Sequence, residues 1–354
     1  MKRKHTNNNA QSPKDLYAAV DLHGDNGYYC LIDAQDQAIY DKRLPNDLTS
    51  VLQSLAPFRE RLAKGIAVES TFNWYWLVDG LQANGYAVQL VNPAKLDSYG
   101  GLKNTNDRSD AYWLAHLQRL NLLPTGYIYP KEQRGVRDLL RRRMLLVQQR
   151  TTHLLSFQSL YERQTGKAIS SNRIKTLAVD HVKELLAQPE AALMGQANLR
   201  MIEALNGEIA TLEKAAEQAV KLSPDYQVVL TVPGIGRILG MTIMLETGPV
   251  ARFASASHYT SYCCCVKAEA TSNGRKKGEN NRKCGNRYLA WAFIEAANFA
   301  VRYCEEMKRW HQRKLARCGG KKALAIKAVA AKLCKVVYYL LKEQKPFEMK
   351  RVFG

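Results

Sequence analysis

The chain has 354 residues, 46 % of them hydrophobic and 24 % charged, enough for two or three domains with real cores. Lys and Arg number 52 against 32 Asp and Glu, a formal charge of +20, which is the electrostatic footprint of a nucleic-acid binder. A ribosomal-type protein is usually shorter and less apolar, and a membrane-surface protein should carry a basic amphipathic anchor, so both fit less well.

The N-terminal "MKRKHTNNNAQSPK" is basic and polar with no apolar run behind it, and reads as a disordered tail over residues 1–14 rather than a secretion signal. No apolar run is long enough to span a membrane. The eight cysteines are scattered or adjacent, without a CxxC pair, so they suit neither a zinc site nor a disulfide framework. Buried, reduced thiols in a cytoplasmic protein are the expectation.

Residues 15–125 read as α/β. "LYAAVDLHG" is a short apolar run through Asp21, and "GYYCLIDAQ" and "AIYDKRLP" follow at hairpin distance, which predicts an antiparallel meander. A helix is expected over Asp47–Ala63, then the buried-type strand "GIAVES" ending on Glu69. "NWYWLVDGLQANG" has helical periodicity and a Gly85 stop; its aromatic residues Trp74, Tyr75 and Trp76 suit packing better than base stacking. "YAVQLVNP" is a further strand, and a helix opens near Asp107 and runs towards Leu123. Three meander strands followed by alternating helices and strands is the order of an RNase-H-like fold, although pattern alone leaves other α+β folds open.

Strands then disappear. Over residues 126–222, "RGVRDLLRRRMLLVQQRTTHLLSFQSLY" and "NLRMIEALNGEIATLEKAAEQAVKL" predict two long helices with heptad-like spacing. They suit a coiled-coil dimerisation arm, or a plain helical bundle. Within them Arg141, Arg142 and Arg143 are either a solvated helix face or a phosphate track for DNA or RNA.

Residues 223–354 read as a mostly helical domain. "LTVPGIGRILGMTIMLETG" has the form of a helix-hairpin-helix, in which Gly234 and Gly236 would bring backbone N–H groups to a phosphate oxygen. An ordinary tight turn has the same pattern. "EATSNGRKKG" places Ser272 before an Asn273–Gly274 turn and the cations Arg275, Lys276 and Lys277. On residue chemistry alone Ser272 is either a turn residue in a phosphate-binding loop or a nucleophile whose target those cations stabilise.

The acidic residues make the sharper pattern. Asp21 and Glu69 close two strands, and Asp107 and Asp110 share a face of a later helix. Acidic residues near a helix start are often dipole partners, and a strand-end Asp is often a turn residue. If the strands are neighbours, however, four carboxylates converge, and they need a compensating cation. Oxygen ligands of this kind hold Mg²⁺, and a pair of such ions stabilises both the attacking and the leaving oxygen of a phosphodiester.

The order Asp21, Glu69, Asp107, Asp110, set in "VDLH", "AVES" and "NTNDRSDA", resembles the DEDD signature of a RuvC-like domain. "VPGIG" and "SNGRKKG…RKCGNRYL" resemble the transposase domain of the same proteins. Together, from about Tyr17 to Leu341, they are similar to the Piv/MooV-type insertion-sequence transposases (the insertion-sequence one-hundred-and-ten family), the bridge-RNA-guided recombinases. Where family members commonly carry a GL-x-P type stretch, this chain reads "CCCVKAEATSNG".

The resemblance implies a RuvC-like DEDD domain, a coiled-coil region and a C-terminal transposase domain. It implies Mg²⁺ on Asp21, Glu69, Asp107 and Asp110, and a covalent DNA link at Ser272. It implies donor and target DNA chosen by a structured guide RNA, and dimers that assemble into a tetramer, with the acidic residues and the serine drawn from different subunits. The setting is then the bacterial cytoplasm, on the nucleoid. Competing readings are a Mg²⁺-dependent junction-resolving nuclease that uses the acidic residues alone, an RNA-independent DNA invertase, and a non-catalytic nucleic-acid scaffold.

Overall fold

The computed structural model describes residues 15–96, 106–266, 270–273, 275–278 and 285–353; the basic tail expected over 1–14 lies outside them. The chain divides into two compact units, Met1–Tyr129 and Pro130–Gly354.

The first unit is a five-stranded mixed sheet flanked by helices. Strands β1 (Leu16–Leu22), β2 (Asn26–Ile32) and β3 (Ala38–Pro45) form the antiparallel meander, and β4 (Leu62–Glu69) and β5 (Val88–Val91) add parallel to β1, in the order β3-β2-β1-β4-β5. Side chains alternate across a strand, and both faces of β1 are covered. Leu16, Ala18, Val20 and Leu22 pack in one core with α1 (Leu48–Leu55) and α2 (Trp74–Ala83). Tyr17 and Ala19 pack in the opposite core with α4 (Asp107–Arg119), through Ala111, Leu114 and Ala115. A short α3 (Pro93–Leu96) follows β5. Trp74 is buried, and Tyr75 and Trp76 pack against the same core, as their helical setting predicts.

Two boundaries differ from the sequence pattern. The helix expected to reach Ala63 ends at Leu55; Pro57 opens a 3₁₀ turn over Ala56–Arg61, and β4 begins at Leu62. The helix expected to run towards Leu123 ends at Arg119, where Lys64 Nζ donates to the carbonyls of Gln118 and Arg119 and Asn121 turns to φ 60°.

The second unit is helical apart from one hairpin among the described residues. Helices α5 (Lys131–Thr165) and α8 (Pro189–Val220) lie along each other, with α6 (Ser171–Lys175) and α7 (Val182–Leu185) folded over one end around Phe157 and Ile174. At the other end Leu140, Ala216 and Val220 share a core with α9 (Pro224–Leu230) and α10 (Arg237–Thr247). The largest core gathers α10, α11 (Ala256–Tyr262), α12 (Arg287–Tyr303) and α14 (Lys322–Glu343), flanked by α13 (Glu305–Arg317) and the terminal α15 (Met349–Phe353). The hairpin pairs β6 (Ala270–Ser272) with β7 (Arg275–Gly278).

Candidate active site

In β1, Tyr17, Ala19 and Asp21 alternate onto the α4 face, and His23 continues the same parity just beyond the strand. The register then builds a row across the sheet. Arg43 of β3 stands opposite Tyr28, and Tyr28 opposite Asp21. On the other side Val20 pairs in parallel with Val68, which brings Glu69 level with Asp21 at the same sheet edge. Above this row begins α4, whose first turn carries Asp107 and Asp110.

The first turn of α4 is capped without those carboxylates. The Asn106 side chain accepts from the Ser109 N–H, and the Ser109 hydroxyl accepts from the Asn106 N–H, a reciprocal capping box. Asp107 turns instead towards the sheet. His23 Nε2 lies 3.4 Å from Asp21 Oδ2 and 3.4 Å from Asp107 Oδ1, and Arg43 Nη2 donates to Asp107 Oδ2 at 2.7 Å. Donor atoms of Asp21, His23 and Asp107 all come within 4.8 Å of one another, close enough to share one cation.

Asp21 is 6 % exposed. Its burial is the main reason its carboxyl pKa rises above the usual range; Asp107 and Asp110 repel the charge further, while His23 and a hydrogen bond from Glu69 oppose the rise. Glu69, Asp107 and Asp110 thus all lie near enough to act on the Asp21 carboxyl.

The far end of α4 fixes that placement. Gln118 is buried on it, and its Oε1 accepts from the Ala18 N–H where the β1–β4 pairing shifts register, while Nε2 donates to the Gly65 carbonyl. Arg119 and His116 both bond Asp36 in the β2–β3 turn. One helix is thus tied to two strands and to the β2–β3 turn, which aims its N-terminus at the sheet edge.

The other residues singled out in the sequence lie in the second unit. Arg141 is bonded through Nε and Nη2 to the two oxygens of Glu246, at 2.6 and 2.8 Å, and its guanidinium lies over the Tyr288 ring. Burial alone would lower its pKa, but Glu246 outweighs that and holds it above the ordinary value. Arg143 pairs with Glu213, and Arg142 faces solvent. Two members of the basic run are therefore committed to carboxylates of their own unit, which leaves Arg142 as its outward cation.

Gly234 has φ 86°, and a Cβ there would stand 2.4 Å from the Ala296 carbonyl oxygen of α12. Its lack of a side chain is a packing requirement. Gly236 caps α10 from the backbone and faces open space.

Ser272 ends β6 and pairs with Arg275 of β7, across an Asn-Gly connection in which Asn273 takes φ 49°. A positive φ there suits the tight hairpin turns that match strand twist. Arg275 is exposed; Ser272, Lys276 and Lys277 are described by their backbone alone. The segment springs from a closed base. The Asn286 N–H donates to the Tyr262 carbonyl, Gly285 packs against Cys264, and Asn286 both caps α12 and donates from Nδ2 to the buried Glu246. The seven described cysteines are free thiols, and Cys30, Cys263, Cys265 and Cys334 are buried. Among the described residues no helix is long and apolar enough to cross a membrane.

His23 and Arg43 are the site residues that sequence reasoning missed. His23 stood in the quoted "VDLH", two residues from Asp21 and hence on its face; Arg43 becomes visible only through the register of three strands.

Two family models match the chain. A DEDD transposase model of the IS110 group, described as "Transposase", matches residues 18–162, the stretch that holds all four acidic residues. A second, described as "Transposase IS116/IS110/IS902 family", matches residues 226–312, including the PGIG turn and the serine hairpin. A "Transposase for insertion sequence element IS1111A" from Coxiella burnetii is 23 % identical over 350 residues, 95 % of this chain and 93 % of the relative. A "Probable family 20 transposase" from Pseudomonas aeruginosa is 24 % identical over 257 residues, 70 % of this chain and 75 % of the relative. Both parts of the chain thus match, in order, models of the IS110 group of insertion-sequence transposases, a class of enzymes that cut and transfer DNA strands.

Proposed function

We propose that this transposase excises and inserts its own element by strand exchange, with a Mg²⁺ site in the first unit and a serine nucleophile in the second. The observation that carries the reading is the approach of Asp107 and His23 to the buried Asp21, with Glu69 level with Asp21 at the same sheet edge. Carboxylate oxygens dominate the donor set, which suits a hard divalent ion, and crowded like charges favour binding one. Asp21, Glu69, Asp107 and Asp110 would hold it, with His23 beside them. When bound it would supply Lewis-acid stabilisation of the phosphate and the departing oxygen.

Ser272 would supply the nucleophile from the edge of its hairpin. Its hydroxyl oxygen bonds to phosphorus and gives up its proton; the bond from phosphorus to the sugar oxygen breaks, and that oxygen is protonated. The resulting phosphoserine keeps the ester bond for rejoining without ATP. Arg275, Lys276 and Lys277 would offset the charge that develops on the phosphate. The charge of +20 supports nucleic-acid binding, and selection of donor and target by a structured guide RNA follows from the family resemblance. Assembly through the long helix pair into dimers and then a tetramer is supported by Leu155, Leu193, Met194 and Met201, large apolar side chains exposed on α5 and α8.

The test is to purify the protein from cells that carry its native flanking DNA, sequence the co-purified RNA, and react the complex with donor and target plasmids in Mg²⁺. A single enriched RNA and a denaturation-resistant protein–DNA adduct are expected, the adduct being lost in Ser272→Ala and in Asp21→Ala. Recombination that persists in Ser272→Ala would leave the acidic residues working alone as a nuclease and overturn the serine assignment. Recovery of only random cellular RNA would overturn the guided mechanism.

A further inference from the structure

Arg43 is placed differently from the other cations of the first unit. It lies on the edge strand β3, with its side chain 57 % exposed, yet Nη2 reaches into the site and bonds Asp107 Oδ2 at 2.7 Å. The oxygen it grips is the outer one. Asp107 Oδ1 is left turned towards His23 Nε2 at 3.4 Å, within the cluster that Asp21 completes. A carboxylate at the first position of a helix, 38 % exposed, is free to rotate unless something pins it. Nitrogen side-chain atoms approach Asp107 from two residues, His23 at 3.4 Å from the inner oxygen and Arg43 hydrogen-bonded to the outer one, so the hold on the outer oxygen depends on Arg43.

The donors of Arg43 exceed what Asp107 uses. A guanidinium carries five N–H groups in a planar fork. Tyr28 occupies the cross-strand position between Arg43 and Asp21, and its hydroxyl is engaged with Asp41, which also binds Arg108. The remaining face of the Arg43 fork is therefore open to solvent at the rim of the acidic site. A strand bound at the acidic site would bring a neighbouring phosphate within reach of this rim, and guanidinium is matched to phosphate by geometry as well as charge.

We propose that Arg43 is a bridging, positioning residue: one N–H group fixes the Asp107 carboxylate so that Oδ1 faces the cation site, and the others bind a phosphate of the DNA strand flanking the one to be cut. The proposal rests on the acidic site being a metal site, and it makes separate demands on metal affinity and on DNA affinity. Loss of an outer partner of a metal ligand typically lowers metal affinity by about 10–100-fold. Loss of one phosphate contact reduces the salt slope of DNA binding by about one.

The experiment uses the full-length protein with Mn²⁺ as the probe, by calorimetry without DNA, and measures DNA-binding salt slopes in an Asp110→Asn background. Arg43→Ala is expected to weaken Mn²⁺ binding by at least about 10-fold and lower the salt slope by about one, with an unchanged melting temperature. Arg43→Lys should recover the salt slope and much of the Mn²⁺ affinity, which a loss of folding would not permit. Mn²⁺ binding in Arg43→Ala as tight as in the unsubstituted protein, or tighter, would overturn the positioning role. An unchanged salt slope would overturn the phosphate contact. If the unsubstituted protein itself binds no Mn²⁺, the metal reading of the acidic site falls, and this proposal with it.

Discussion

Asp36 holds φ 62° in the β2–β3 turn and accepts from both His116 and Arg119 at the far end of α4. Burial alone would raise its pKa, but those two hydrogen bonds outweigh it and hold the carboxyl below the usual range. A depressed folded-state pKa contributes stability that is present above the unfolded value of about 3.9 and is lost as pH falls through the folded one. Asp36→Asn keeps a residue that tolerates the left-handed region, so it isolates the charge. It should lower the unfolding free energy by about 1–2 kcal/mol at neutral pH, and the difference from the unsubstituted protein should close on acidification. Urea titrations at pH 7 and pH 3 check both parts; an equal deficit at the two values would refute the linkage.

At the level of elements, α4 has one end that caps and anchors and another that presents chemistry. Because Asn106 and Ser109 satisfy its first turn, Asp107 and Asp110 have no capping work to do, which is what distinguishes an acidic site from an acidic helix start. The α9–α10 turn has a comparable division. Gly234 sits against the backbone of α12, whereas Gly236 meets nothing within 4 Å. Gly234→Ala should therefore cost about 2–3 kcal/mol through strain and displaced backbone, and Gly236→Ala well under about 1 kcal/mol. Chemical denaturation of the two variants side by side measures the contrast, and equal losses would mean that α12 yields at that point.

At the scale of the whole molecule, the excess of 20 positive charges should make DNA binding steeply salt-dependent. With about 6–10 phosphate contacts, affinity should fall about 10³–10⁵-fold between 50 and 200 mM salt. A filter-binding series across that range checks it, and a flat response would mean that the charge is spread away from the bound strand. Much of the acidic site was legible from the chain itself, since Asp21 stands one residue before the end of its apolar strand, Glu69 ends its own, and the period-2 rule assigns them a face. His23 obeys the same rule, but a histidine beside a turn carries little signal alone. Arg43 and Arg141 were not legible, because their partners are set by register and by tertiary packing: Glu246 lies 105 residues beyond Arg141. A run of arginines advertises charge equally well whether it faces a phosphate or a buried carboxylate.

The closed base below the serine hairpin has a consequence for how this region can vary. The Asn286 N–H and the Tyr262 carbonyl meet at 2.7 Å, and Glu246 clamps Asn286 from within, so the intervening chain leaves and re-enters the core at one point. Ring closure is then already satisfied by the core, and doubling the length of the enclosed segment costs only about 0.6 kcal/mol. Changes in the length of this stretch are therefore absorbed outside the core, and the helices that carry it keep their packing.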